Sequence, residues 1–182
     1  MNNNKTTNIT TNITTNITTK SNNVIKTKIK KFDDYVTPKS AYEEILQYIP
    51  KNKILWDPFY CQGSSGIFLK ELGFEVIHKN EDFFKNNKGD IILSNPPYTI
   101  KKEILIKLKE IGKPFMLLMP LDTLSRVYTN KLDLDLQLII PKKRIQFIKY
   151  FEGELKCENR NCFDVAWFCW KIGLEKDIIY CK

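Results

Sequence analysis

The sequence predicts an α/β fold built on a mostly parallel sheet. Two observations carry that prediction. In the first half of the chain beyond Tyr35, short apolar runs alternate with segments of helical period, the signature of parallel strands joined by crossover helices. Near the end, the apolar runs 144–150 and Val165–Trp170 lie close together across the polar loop 152–161, so they are expected to pair antiparallel at one edge of the sheet.

The elements follow in order. Pro38 opens a helix over 39–48 with Ala41, Ile45, Leu46 and Ile49 on one face, and Pro50 stops it. Ile54-Leu55-Trp56 is a short strand, and 66–72 is a helix ended by Gly73. Residues 74–78 form a second strand, and Ile91-Ile92-Leu93 reads as a buried third. A helix over 102–111 carries lysines on its outer side, and 115–119 is a strand between Pro114 and Pro120. Residues 121–128 are assigned helix, 136–140 form an apolar run, and 144–150 and Val165–Trp170 are the last strands.

The chain of 182 residues divides in two. Residues 6–20 repeat the unit Thr-Thr-Asn-Ile, which has no hydrophobic period able to bury a face, so disorder is expected. The arm 1–31 also carries Lys20, Lys26, Lys28, Lys30 and Lys31, a set suited to nucleic-acid backbone or to a solubilising tail. Its Asn-Ile-Thr triplets at Asn8, Asn12 and Asn16 are formal glycosylation acceptors, without meaning unless the chain is secreted. Residues 32–182, about 150 of them, suffice for one folded domain.

No run of 18 apolar residues exists, so no membrane partner is expected. The N-terminus has no apolar signal core, so the expected location is intracellular rather than secreted. Lys+Arg exceed Asp+Glu by 29 to 21, a net charge of +8, which fits either a polyanionic partner or a lysine-rich solvated surface. The five cysteines are expected to be reduced thiols. Cys157, Cys162 and Cys169 are loosely grouped without a C-x-x-C pair, and the lone His78 is far away, so no metal is expected.

In open α/β sheets the ligand lies beyond the carboxyl ends of the strands, so the turns there deserve inspection. The first is Asp57-Pro58-Phe59-Tyr60-Cys61-Gln62-Gly63-Ser64-Ser65-Gly66. Its glycines let backbone approach a ligand, the next helix offers free N–H groups to a carboxylate, and Asp57 suits an ammonium group. An ordinary tight connection has the same composition. The phosphate-loop and G-x-G-x-x-G patterns are absent, which argues against NTP or NAD. The second turn is Lys79-Asn80-Glu81-Asp82-Phe83-Phe84. It suits a clamp on adenine, with Asp82 accepting from the amino group and a phenylalanine stacked on the ring, or else a capped turn over core phenylalanines. The third is Asn95-Pro96-Pro97-Tyr98, a stiff polar corner with an aromatic face, fitted to a flat group that carries an exocyclic amine.

Together these residues resemble the motif set of class I S-adenosyl-L-methionine-dependent amino-methyltransferases, Rossmann-like enzymes, and in particular the small single-domain N6-adenine DNA methyltransferases of large DNA viruses and protists. Asn95-Pro96-Pro97-Tyr98 matches their catalytic tetrapeptide in full. Asp57-Pro58-Phe59 with Gly63 and Gly66 is similar to their cofactor turn, and Asp82-Phe83-Phe84 to their adenine-contacting segment. Tyr35-Val36-Thr37-Pro38 resembles the leading element that closes over the methionine end of the cofactor, which brings Tyr35, Thr37 and Pro38 into the expected cofactor set. Two departures stand out. The cofactor turn is longer than usual, and no acid ends the second strand where the ribose hydroxyls are held. His78, Asn80 and Glu81 are the candidates for that task, and His78 also reads as a plain strand residue.

The resemblance implies S-adenosyl-L-methionine as cofactor, no metal, and an adenine in DNA or RNA that is flipped out or already unpaired. Lys101, Lys102, Lys142, Lys143 and Arg144 fall near loop positions suited to backbone phosphates, or to plain surface charge. No segment is long enough for a separate target-recognition domain, which implies weak sequence preference, a structured RNA, or a partner protein that supplies recognition. The stretches 122–135 and 152–161 are the internal candidates for substrate contact. The same tetrapeptide serves protein glutamine N5-methyltransferases, guanine N2 methylation of RNA is a further option, and a non-catalytic nucleic-acid-binding subunit is the non-enzyme reading.

Overall fold

The computed structural model describes residues 35–151, 154–157 and 164–182. The arm 1–31, with its repeat and lysines, and most of loop 152–161 lie outside the described residues.

The main sheet has seven strands: β2 (Leu55–Trp56), β3 (Val76–Ile77), β4 (Ile91–Ser94), β5 (Phe115–Pro120), β6 (Gln137–Ile140), β9 (Val165–Trp170) and β10 (Ile178–Tyr180). Their order across the sheet is β10-β6-β9-β5-β4-β2-β3. Neighbours β3–β2, β2–β4, β4–β5 and β6–β10 run parallel, while β9 is antiparallel to both β5 and β6. This is the Rossmann-like, mostly parallel α/β sheet that the sequence predicts, with its antiparallel part set inside it.

The central strands are apolar at nearly every position because both faces are covered. β4 and β5 are buried throughout, and Trp167 and Phe168 of β9 are wholly enclosed. Helix α1 (Lys39–Glu44) brings Tyr42 against Trp167, ring centroids 5.7 Å apart. Helix α2 (Ser64–Glu71) connects β2 to β3, and α3 (Lys101–Ile111) connects β4 to β5, burying Ile104, Leu105 and Leu108. The segment expected as helix over 121–128 is a 3-10 turn, Leu121–Ser125, followed by α4 (Val127–Leu132).

A second sheet of three strands comprises β1 (Tyr35–Val36), β7 (Ile148–Phe151) and β8 (Glu154–Cys157), all antiparallel in the order β1-β7-β8. This corrects the expected pairing of the last two strands. The strand within 144–150 pairs with β1 and β8, not with Val165–Trp170. Val-Ala-Trp-Phe-Cys-Trp is apolar at every position, so β9 needs cover on both faces and a neighbour on both sides, and an edge supplies neither.

The topology also fixes where a ligand belongs. From β2 the chain passes to β3 on one side, then returns to β4 on the other. The reversal opens a crevice at the carboxyl ends of β2 and β4. Asp57 follows β2 and Asn95 follows β4, so the two most informative turns meet there.

Candidate functional site

Asp57 is 1 % exposed and is the hub of the crevice. Its N–H donates to the Ile77 carbonyl (3.0 Å), which ties the turn to the end of β3. Ser65 Oγ donates to Asp57 Oδ2, and Ser94 Oγ donates to Oδ1. The first hydroxyl comes from the start of α2 and the second from the last residue of β4. One carboxylate therefore locks together the ends of two strands and a helix. Tyr42 completes this wall. Burial pushes its phenol far above the ordinary range, the nearby Asp57 charge adds to that, and it stays protonated.

The loop between β2 and α2 turns back on itself. Gly63 takes a left-handed conformation (φ 83°), and its N–H donates to the Tyr60 carbonyl (2.7 Å). Gly66 is needed for a different reason. A Cβ there would lie 2.5–2.7 Å from His78 ring and Cβ atoms, so α2 can approach β3 only without a side chain at this point. Gly66→Ala is expected to destabilise the protein by about 1–3 kcal/mol through overpacking, against less than about 1 kcal/mol regained in helix propensity. Urea denaturation checks this. An unchanged midpoint would mean that α2 moves off His78 without cost.

Around this frame lies a narrow cleft open to solvent. Tyr35, Val36 and Thr37 line one side, Phe59 to Gln62 with Ser64 and Ser65 another, and Asp57, Ser94 and Asn95 the floor. The structure thus brings Tyr35, Thr37, Asp57, Phe59 and Asn95 to one cleft. Pro58 and Gly63 shape the turn without lining the cleft, and Pro38 caps α1 and lines a separate groove.

Asn95 carries the most telling feature. Its side-chain oxygen is buried and accepts no hydrogen bond. A buried acceptor without a donor is costly and uncommon, and one at a strand end facing a crevice fits an incoming N–H group. The two prolines stiffen the corner. Pro97 has φ −64° and its carbonyl accepts from Ile100 N–H (3.3 Å), starting the 3-10 turn Tyr98–Ile100 that leads into α3. Tyr98 is half-buried and packs against the core.

The segment Asp82-Phe83 is placed differently. Asp82 Oδ1 accepts from Phe84 N–H (3.0 Å) and caps a 3-10 turn. Phe83 is buried among Trp56 and Phe59, with centroids at 5.7 and 5.0 Å. Neither lines the cleft. The capped-turn alternative describes this segment, and Phe83 acts from behind by supporting Phe59. His78 also stands behind the cleft and faces Asp57.

The basic residues separate into two groups. Lys101 binds Asp122 (2.8 Å), which Arg126 also holds. Burial pushes Asp122 up, but those two cations outweigh it and keep the carboxyl below its ordinary range. Lys102 is exposed beside it. Lys142, Lys143 and Arg144 line an open groove of about 1370 Å³ (solvent-open space included) against Pro38, Ala41 and Glu44 of α1. Glu44 accepts from the main-chain N–H of Lys142 (2.6 Å), and Arg144 pairs with Asp164 (3.1 Å). Lys142 and Lys143 have no carboxylate at ion-pair distance among the described residues.

Sequence reasoning missed Ser65, Ser94 and Tyr42. Ser94 had a usable signal, a lone hydroxyl ending an otherwise apolar strand. Tyr42 had none, since on α1 it reads as core. Among the described residues no helix is long and apolar enough to cross a membrane, and no three His, Cys, Asp or Glu side chains gather as a metal-binding group.

No protein-family model matches the chain, and no curated protein matches its sequence. Among solved structures, the chain is similar to a precorrin-6y C5,15-methyltransferase from Geobacter metallireducens GS-15, at 12 % identity and a TM-score of 0.46, over 75 % of this chain and 90 % of that one. The fold assignment rests on the strand order and directions given above.

Proposed function

We propose that this chain is an S-adenosyl-L-methionine-dependent methyltransferase acting on the N6 amine of adenine in nucleic acid, with DNA favoured over RNA. The observation that carries this reading is the buried, unpaired side-chain oxygen of Asn95 on the floor of the cleft that the Asp57 turn lines.

The residues present fit the cofactor. An acceptor at Asp57, hydroxyls at Thr37, Ser64 and Ser65, and rings at Tyr35, Phe59 and Tyr60 would hold a ligand with ammonium, carboxylate, hydroxyl and purine groups. When bound, S-adenosyl-L-methionine supplies an electrophilic methyl group, so the protein has no need to activate a donor. Its task is the acceptor. An adenine amine is a poor nucleophile because its lone pair is delocalised into the ring. Asn95 Oδ1 accepts one N–H and the Pro96 carbonyl the other, which favours a pyramidal nitrogen and stabilises charge as it develops. Pro96 and Pro97 keep those acceptors from reorganising. The lost proton passes to solvent, and no strong base is required.

The exposed Lys142 and Lys143 of the α1 groove support a polyanionic substrate. The chain segment Tyr35 to Thr37 lines the cleft and continues directly into Pro38 and α1, so the groove adjoins it. A K142A/K143A double variant is expected to lower the slope of log affinity against log salt by about 1–2 for single-stranded DNA, leaving cofactor affinity unchanged. Fluorescence anisotropy over a salt series checks this; an unaltered slope removes the groove from the substrate path.

The direct test is transfer of tritiated methyl to single-stranded DNA, duplex DNA, tRNA and rRNA, with nucleoside analysis of the product. N6-methyladenine is the expected product. Label found only in protein would move the acceptor to a glutamine amide, and label in N2-methylguanine would move it to RNA guanine.

A further inference from the structure

His78 is the chain's single histidine and follows β3 directly. Its side chain is 4 % exposed. Nδ1 lies 2.9 Å from the Asp57 main-chain oxygen and 3.1 Å from Asp57 Oδ2. Two acceptors at one ring nitrogen require a proton there, so Nδ1–H is the donor. Tyr60, from the turn over the cleft, stacks on the ring at 4.9 Å with planes 23° apart. Gly66 of α2 meets the ring from the remaining side, where even a methyl group would collide. The imidazole is thus enclosed by the β2 turn, Tyr60 and α2.

We infer that His78 is the positioning residue of the cofactor turn: its Nδ1–H clamps the Asp57 carbonyl and carboxylate in the orientation that shapes the cleft, so ligand affinity follows the charge on His78. The affinity part rests on the reading of the cleft as the cofactor site; the clamp itself does not. It also answers the question left by the missing acid after the second strand. The polar residue at that position turns inward to hold Asp57 and leaves the ribose hydroxyls to other groups.

The charge balance supports the same arrangement. Burial works against the imidazolium, and Nε2 is buried without a hydrogen-bond partner, but the Asp57 hydrogen bond and charge, with the Asp57 main-chain carbonyl, outweigh this and raise His78 above its ordinary 6.5. Among the described residues, Asp57 is the charged group that faces the ring; Tyr60 and Gly66 bring none. Because the folded value is raised, the stabilisation is complete below the unfolded value and is lost as pH rises through the folded one. Above it the neutral ring keeps Nδ1–H but loses the attraction to Asp57.

A single histidine makes the test unambiguous. Imidazole NMR of the ligand-free protein is expected to show an Nδ1–H ring titrating above 6.5, and Asp57→Asn should shift that titration down. Calorimetry with S-adenosyl-L-methionine should show affinity falling about tenfold as pH passes the NMR midpoint, the size expected when a hydrogen bond between charged groups weakens. His78→Asn, which presents an amide N–H near the Nδ1 position but carries no charge and cannot titrate, should hold affinity near the lower value of the neutral ring at every pH and so flatten its pH dependence. An ordinary or lowered titration that ignores Asp57→Asn would overturn the clamp. Affinity that stays flat while the ring titrates would overturn the coupling. A raised, Asp57-dependent titration in a protein that binds no S-adenosyl-L-methionine would uphold the clamp and overturn the cofactor reading.

Discussion

Asn95→Ala is expected to slow methyl transfer by about 10²–10³-fold, the usual effect of removing one preorganised polar group at a reacting atom. Cofactor affinity should change by less than about threefold, because the amide oxygen aims at the acceptor and the cofactor is held by the Asp57 turn and β1. The structural ground is the solitary state of Asn95 Oδ1, buried and without a donor at the end of β4. Such an oxygen gains its partner only when an amine enters, so its removal subtracts from the reaction rather than from folding. The variant should be as stable as wild type or slightly more stable, since an unpaired buried acceptor has been deleted. Asn95→Asp, which keeps an acceptor at the same position, should recover part of the rate. Single-turnover kinetics at saturating cofactor separate these effects. Loss of cofactor binding and rate together would make Asn95 a structural residue of the corner.

The second large effect belongs to Asp57→Ala, and here stability is the readout. Asp57 accepts from Ser65 and Ser94 and holds His78 on two of its oxygens, all with almost no exposure. Its loss leaves two buried hydroxyl donors without partners and an imidazole without its carboxylate, held only by the main-chain carbonyl of residue 57. Breaking a buried pair by removing one member costs about 3–5 kcal/mol. The penalty should depend on pH in a definite sense. At pH 5 the variant buries an imidazolium without a counter-charge, and the cost is greatest. Once pH has risen through the raised value of the wild-type ring, that ring is neutral too, and the cost shrinks toward that of the lost hydrogen bonds. Urea denaturation on either side of that value measures the difference. Equal stability of variant and wild type at pH 5 would show that water or rearranged side chains replace the carboxylate.

The legible parts of this molecule are those where chemistry changes abruptly along the chain. Ile91-Ile92-Leu93 followed by Ser-Asn-Pro-Pro can be little other than a buried strand meeting a rigid polar turn, and β4 with its corner is found there. Asp57 was legible for the same reason, as an acid directly after a strand and before glycines. Less legible was anything decided by cover from elsewhere. β9 was visible as a strand, but proximity in sequence suggested an edge, while its unbroken apolar character demanded the interior. β1, with two residues, and β10, with three, are too short to carry a period, and each is defined by its neighbour. At the site, Asp82-Phe83 has the composition of both an adenine clamp and a capped turn, and only Trp56 and Phe59 beside Phe83 decide between them. Ser65 and His78 are partners of a buried carboxylate, a relation that spans 8 and 21 positions and has no local signature.

The central claim is that the cleft and the Asn-Pro corner form one site, with a cofactor on one side of Asn95 Oδ1 and an amine on the other. A crystal structure with a cofactor analogue in which an amine-bearing carbon replaces the methyl-bearing sulfonium tests it most directly. The analogue should lie against Asp57, Phe59 and Thr37, with its amine within hydrogen-bonding distance of Asn95 Oδ1. An analogue bound elsewhere, or one seated in the cleft while that oxygen remains without a donor, would contradict the claim.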